Sequence, residues 1–241
     1  MDFTPVKETP FLKGKLRIYQ PENGYRFSID SVLLANFVKV KPSDIAVEFG
    51  AGCGIISSIL LFKNKNIKIF AIEKEKIFLK CLSLTIQKNH FENRLFVINA
   101  DFLTPPFKEN SIDVIFFNPP YFKTGAGRKS KDQTEEVARR QEQAELKTWI
   151  KACYRVLKTG GKLFLIFTAL RLAELFFCLK YHKLEPKELR LVYSYPESEA
   201  KLILVKCVKG AGEEIRILPP LFIYKYKKGP YTLEVEKMLN G

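Results

Sequence analysis

Val47-Glu48-Phe49-Gly50-Ala51-Gly52-Cys53-Gly54-Ile55 decides the fold of this chain. A short apolar run, Ala46–Phe49, reads as a buried strand. It breaks into alternating glycines, and an apolar stretch, Gly54–Phe62, follows as a helix. Glycines at 50, 52 and 54 let the backbone turn sharply and come close to a ligand, because no Cβ intervenes. In an open parallel sheet, ligands sit beyond the carboxyl ends of the strands. A dinucleotide-binding turn would read Gly-x-Gly-x-x-Gly. Here the residue three after Gly52 is Ile55, so that fingerprint fails.

Working outward, strand and helix patterns alternate. Ile67–Ile72 is the next strand and Glu75–Asn89 a longer helix; Leu95–Asn99, Ile112–Phe117 and Lys162–Thr168 are further strands. A helix over Ala144–Lys158 ends at Gly160-Gly161, the usual C-terminal punctuation. Another helix spans Ala169–Tyr181. Leu189–Ser194 and Ala200–Val208 flank Pro196-Glu197-Ser198 as a hairpin, and Ile215–Gly241 reads as a strand pair and a short helix. Ahead of this lies an accessory segment, residues 1–41, before a main domain of residues 42–241. In it, Leu16–Gln20 and Tyr25–Phe27 flank the turn Pro21-Glu22-Asn23-Gly24, and Ser28 or Asp30 caps a helix running through Val38. Strands joined by helices imply an α/β fold, a mostly parallel sheet covered on both faces. Seven strands ending in an antiparallel hairpin resemble the Rossmann-like class I methyltransferase architecture more than the dehydrogenase one.

Glu-x-Gly-x-Gly-x-Gly at Glu48–Gly54 resembles motif I of S-adenosylmethionine-dependent methyltransferases. Glu48 suits a cationic cofactor, since a carboxylate near a sulfonium or amino group is favourable at short range. Glu73 ends the next strand, where an acidic side chain can accept both ribose hydroxyls. Asp101 ends the third strand and can accept from an adenine amino group, and Phe102, next to it, can stack on its ring. Each piece alone is weak. Three acids at successive strand ends beside a glycine turn are not easily explained as solvated charges.

The second signal is Asp113-Val114-Ile115-Phe116-Phe117-Asn118-Pro119-Pro120-Tyr121. A buried strand runs into Asn-Pro-Pro-Tyr. The prolines lack amide hydrogens and stiffen the chain where it leaves the ladder. An exocyclic amine conjugated to a ring is a poor nucleophile. Two acceptors on its hydrogens, the Asn118 side-chain oxygen and the Pro119 carbonyl, would return density to the nitrogen. Such groups act best when fixed before charge develops. Tyr121 offers an aromatic face for an unstacked base.

Composition narrows the partner. With 40 Lys and Arg against 26 Asp and Glu, the net charge is +14. That surplus favours a polyanion. Five cysteines, with no Cys-x-x-Cys pair, exclude a zinc ribbon or disulfide scaffold and suit a reducing cytosol, hence a cytoplasmic protein. His90 reads as a helix-end residue and His182 as surface; they lack ligand spacing, so no metal is expected. Met1–Phe11 has no signal-peptide pattern, and no apolar run is long enough to span a membrane. Nothing in the sequence fixes an oligomeric state.

With these motifs in place, the chain resembles bacterial tRNA(Val) adenine-N6-methyltransferases, which modify the adenine 3′ of the anticodon. The resemblance starts at Tyr25-Arg26-Phe27-Ser28-Ile29-Asp30-Ser31-Val32-Leu33-Leu34-Ala35. It runs through Glu48–Ile56 and Asn118–Phe122, with Gly125 and Gly127 after it. It implies that Phe27 and Asp30 close over the cofactor, and that RNA, most simply tRNA, is the substrate. Ala138-Arg139 matches the start of an Ala-Arg-His-Glu element, but Arg140 and Gln141 replace its last two residues. Arg128, Lys129, Lys131, Arg139 and Arg140 cluster in the long polar stretch after the catalytic motif and are candidates to track phosphates. Lys225, Lys227 and Lys228 form another basic group, interleaved with Tyr224, Tyr226 and Tyr231.

Asn-Pro-Pro-Tyr is shared with protein-glutamine and DNA-adenine methyltransferases. The former carry a longer helical domain ahead of motif I, where about forty residues stand here. The latter normally need a separate recognition domain. A cofactor-binding RNA module without turnover would have no use for Asn118 and Tyr121.

Overall fold

A computed structural model describes residues 5–23, 27–119 and 135–241, the last segment with side chains from residue 145 onward. β1 (Val6–Phe11) and β2 (Leu16–Pro21) form an antiparallel pair of their own, ahead of α1 (Ile29–Phe37). Then follow β3 (Ala46–Phe49), α2 (Ile55–Lys63), β4 (Ile69–Glu73), α3 (Lys76–Asn89), β5 (Leu95–Asn99) and β6 (Ile112–Phe117). α4 (Glu135–Val156) leads into β7 (Leu157–Thr168). A 3₁₀ turn, Ala169–Arg171, opens α5 (Leu172–Tyr181). The chain closes with β8 (Leu184–Tyr193), β9 (Ala200–Lys209), β10 (Arg216–Ile217), β11 (Leu221–Phe222) and α6 (Leu233–Asn240).

Among the described residues the main sheet has the order β10-β8-β9-β7-β6-β3-β4-β5, with β11 beside β8. The pairs from β5 to β7 are all parallel. β9 runs antiparallel to both β7 and β8. So the expected parallel sheet with a closing hairpin is present, and β8 points the same way as β7. Two apolar cores flank the sheet. One buries Leu33 and Leu34 of α1 with Ile59 and Leu61 of α2; the other buries Trp149 and Cys153 of α4 with Leu175 and Leu179 of α5. Alternate residues of β3 divide between them: Ala46 goes to the first, Val47 and Phe49 to the second. That is the period-two signature of a strand buried on both faces.

Several expectations are corrected. The partner of β2 is β1 and the turn is Leu12–Lys15, where Leu12, Lys13 and Gly14 all have positive φ. Phe27 lies outside any strand, and Tyr25 and Arg26 lie outside the described residues. Ser28 takes the N-cap position of α1 but makes no capping bond with its side chain. α4 begins nine residues earlier than read, and Gly160-Gly161 do not cap it. They sit inside β7, where the register against β6 shifts between Ile112↔Leu157 and Val114↔Lys162. A Cβ at Gly161 would lie 2.8 Å from the Lys158 carbonyl oxygen and 3.1 Å from that of Ile112, so the bulge itself demands glycine. In the tail, β10 and β11 each pair with β8 rather than with each other. His182 is half-buried rather than on the open surface. His90 does end a helix, capping α3 at φ 58°.

Candidate active site

The carboxyl ends of β3, β4, β5 and β6 converge on a cavity of about 250 Å³ lined by Gly50, Gly52, Glu73, Lys74, Phe78, Ala100, Phe102 and Asn118. Its floor is the glycine turn, held by Ala51 N–H donating to the Ile72 carbonyl at 2.9 Å and Gly54 N–H to the Ala51 carbonyl at 2.8 Å. Gly50, Gly52 and Gly54 have φ of +63°, +55° and +74°. A Cβ at Gly52 would meet nothing within 4 Å, whereas one at Gly54 would lie 2.4 Å from Leu82 Cδ2 of α3. Gly52 therefore leaves room at the cavity, and Gly54 lets α3 close against the start of α2.

Glu73 joins the turn to the cavity wall. Its Oε2 accepts from Gly52 N–H at 2.7 Å, and its Oε1 from the amides of Lys74 (2.8 Å) and Glu75 (2.9 Å). The carboxylate is thereby fixed in direction. Phe102 forms the opposite wall. Its ring would lie 3.7 Å from a Cβ at Gly50, and it is braced by Phe117 (centroids 5.1 Å) and Phe49 (5.9 Å). Asp101 stands beside this wall, accepting from Leu103 N–H at 2.9 Å and paired with Lys74 Nζ at 3.3 Å.

Glu48 is placed differently. It is 2 % exposed and does not line the cavity. Its Oε2 accepts from Ser57 N–H at 3.1 Å and from the Ser57 hydroxyl, so it braces α2 beneath the turn. Burial pushes its carboxyl up to about 8, against the Ser57 bonds, which lower it.

Asn118 follows β6 and faces the cavity. Its Nδ2 donates to the Ser31 hydroxyl of α1 at 2.9 Å. Ser31, 4 % exposed, was not singled out from the sequence, although a serine among Val32, Leu33 and Leu34 is a polar group in need of a partner. Lys74 and Phe78 were also missed. Phe27 and Asp30 lie just before and at the start of α1, and neither lines the cavity. Pro119 is buried and described. Pro120, Tyr121, Arg128, Lys129 and Lys131 lie outside the described residues, and of Arg139 and Arg140 only the helical backbone in α4 is described.

All five cysteines are buried and free. Among the described residues no group of three or more His, Cys, Asp or Glu is placed to hold a metal ion. No described helix is long and apolar enough to cross a membrane.

The methyltransferase small domain matches residues 25–175. A tRNA1(Val) (adenine(37)-N6)-methyltransferase of Flavobacteriaceae bacterium (strain 3519-10) is 27% identical over 153 residues, covering 64% of each chain. The protein of the same description from Porphyromonas gingivalis is 26% identical over 187 residues, covering 74% of this chain and 72% of that one. The chain thus spans about two-thirds of the length of these curated relatives. Among solved structures, a predicted O-methyltransferase of Agrobacterium tumefaciens superposes with a TM-score of 0.70 at 19% identity, over 88% of this chain and 95% of that one. A precorrin-6y C5,15-methyltransferase of Geobacter metallireducens superposes with a TM-score of 0.54 at 16% identity, over 80% and 94%.

Proposed function

This chain belongs to the methyltransferase small domain family, whose cofactor is S-adenosylmethionine, and from that premise we propose that it methylates the exocyclic N6 of an adenine in RNA, in the cytoplasm, most simply in a tRNA beside the anticodon. The observation that carries the reading is the juxtaposition of Asn118 with Gly50, Gly52, Glu73 and Phe102 around one cavity.

The residues present fit the cofactor. Glu73 is a rigid acceptor for ribose hydroxyls, Phe102 a braced ring for its adenine, and Asp101 an acceptor at the edge of that ring. The absence of Cβ atoms at Gly50 and Gly52 leaves space for the methionine portion. Glu48 supports the turn from below, through Ser57. When bound, S-adenosylmethionine would supply an electrophilic methyl group on its sulfonium, and the adenine amine would give up one proton to water.

The chain's own task is to hold that nitrogen. Asn118, with its Nδ2 engaged by Ser31, offers its carbonyl end to one amine hydrogen, and the Pro119 carbonyl takes the other. Two fixed acceptors favour a pyramidal nitrogen whose lone pair can react. Tyr121 stacks on the base, and the cations of the 128–140 stretch hold neighbouring phosphates. No strong base is required, because the proton leaves after the nitrogen has become cationic. Positioning supplies most of the acceleration. The relatives named above, described as tRNA adenine methyltransferases, support the substrate assignment.

The test is methyl transfer from labelled S-adenosylmethionine to total RNA, followed by digestion and mass spectrometry. N6-methyladenosine in one tRNA is expected. Label in protein glutamine or in DNA, with none in RNA, would overturn the assignment.

A further inference from the structure

One basic, aromatic element lies apart from the cavity. Tyr224-Lys225-Tyr226-Lys227-Lys228-Gly229-Pro230-Tyr231 follows β11. It is a closed loop. Tyr224 and Tyr231 form an antiparallel bridge, and their rings stack at 5.0 Å and 16°. Lys225 N–H donates to the Pro230 carbonyl at 3.0 Å, and Gly229 N–H to the Tyr226 carbonyl at 2.9 Å. The Thr232 hydroxyl donates to the Phe222 carbonyl at 2.7 Å, tying the loop's two ends.

Tyr226 is the exposed feature of this loop, at 59%. A Cβ at Gly229 would fall 2.8 Å from its Cδ2 and Cε2, so one face of the ring lies flat on the glycine backbone. The ring is thus a shelf, supported below and open above. Lys225, Lys227 and Lys228 surround it, all exposed, and none is paired with a carboxylate among the described residues.

Topology sets where the shelf stands. β11 pairs in parallel with the carboxyl end of β8, Phe222 beside Tyr193, and β8 is parallel to β7 and β6. The loop therefore leaves the sheet at the rim that also carries Asn118. Four strand spacings separate β11 from β6, about 19 Å.

We propose that this loop is a second RNA contact, in which Tyr226 stacks on an unpaired base flanking the target adenine and the three lysines neutralise phosphates around it. The proposal rests on the RNA reading above and extends it to a surface outside the catalytic cavity. Unpaired cations around a supported aromatic face match single-stranded RNA, which offers both phosphates and open bases.

The test uses the full chain and a fluorescently labelled tRNA, with affinity read by anisotropy across a salt series. Tyr226→Ala should weaken binding about tenfold and raise KM for RNA, while kcat at saturating RNA and affinity for S-adenosylhomocysteine hold. Tyr226→Phe should restore most of the affinity, because the ring face remains. Replacing the three lysines by alanine should lower the steepness of log Kd against log salt by about 2 to 3. Melting temperatures report folding, and sedimentation the oligomeric state. If the wild type methylates RNA and both variants bind it with unchanged Kd and salt slope, the proposal is wrong. It is equally wrong if Tyr226→Ala dissociates a dimer with RNA affinity intact. A wild type that neither binds nor methylates RNA defeats the functional reading itself.

Discussion

Replacing Glu48 by glutamine isolates one buried carboxyl and gives a stability change of predictable sign. In the folded chain this group titrates at about 8, against a reference value of 4.5, because burial opposes its charge. Between those values the unfolded chain has released the proton and the folded chain still holds it. The unfolded state then binds fewer protons, so stability falls as pH rises. The separation corresponds to about 5 kcal/mol across the window, or about 1.4 kcal/mol per pH unit. Against the total stability of a domain, on the order of 5–15 kcal/mol, that is a large term. Glutamine keeps an acceptor for Ser57 and cannot ionise. Urea unfolding of both proteins at pH 5, 6, 7 and 8, without cofactor, should show the wild type losing stability relative to Glu48→Gln with each step. The difference should reach roughly 3 kcal/mol by pH 7. Parallel curves, or a wild type that gains on the variant with rising pH, would refute the account of Glu48 as a buried, protonated brace.

Gly54→Ala should cost about 2–5 kcal/mol, from a left-handed backbone conformation at φ +74° and a Cβ only 2.4 Å from Leu82. Thermal unfolding should fall by several degrees or more; a melting temperature within a degree of wild type would show that α3 yields freely. Phe102→Ala should weaken S-adenosylhomocysteine binding roughly tenfold by calorimetry, since a base–aromatic stack contributes about 1–3 kcal/mol; unchanged affinity would remove Phe102 from the cofactor wall. Ser31→Ala should slow methyl transfer about fivefold, the value of one neutral hydrogen bond near 1 kcal/mol, with cofactor affinity and melting temperature kept. A rate equal to wild type would mean that Asn118 holds its orientation without α1.

The sheet was legible because strand and helix periods alternate cleanly from Ala46 onward, and β5 and β6 match their expected bounds to the residue. The glycine turn was legible because Gly50, Gly52 and Gly54 adopt positive φ without a Cβ penalty. What misled was chemistry that depends on partners far along the chain. Gly160-Gly161 looks like a helix terminator, yet its purpose is a bulge against Ile112, set by a register that no local pattern encodes. Pro21–Gly24 carries stronger turn residues than Leu12–Lys15, but β2 pairs backward with β1. Glu48 reads as a ligand for a cation, whereas Ser57, one helical turn past the glycines, donates to its buried carboxyl group. Ser31 was invisible as a site residue because its partner, Asn118, is 87 positions away.

Single-turnover methyl transfer by Asn118→Ala tests the central claim most directly: that this side chain holds the amine at the cofactor cavity. With radiolabelled S-adenosylmethionine prebound and RNA in excess, the variant should bind both partners as the wild type does and transfer methyl at least a hundredfold more slowly, the scale of losing one preorganised polar contact to the reacting group. Transfer at the wild-type rate, with cofactor and RNA bound normally, would contradict it.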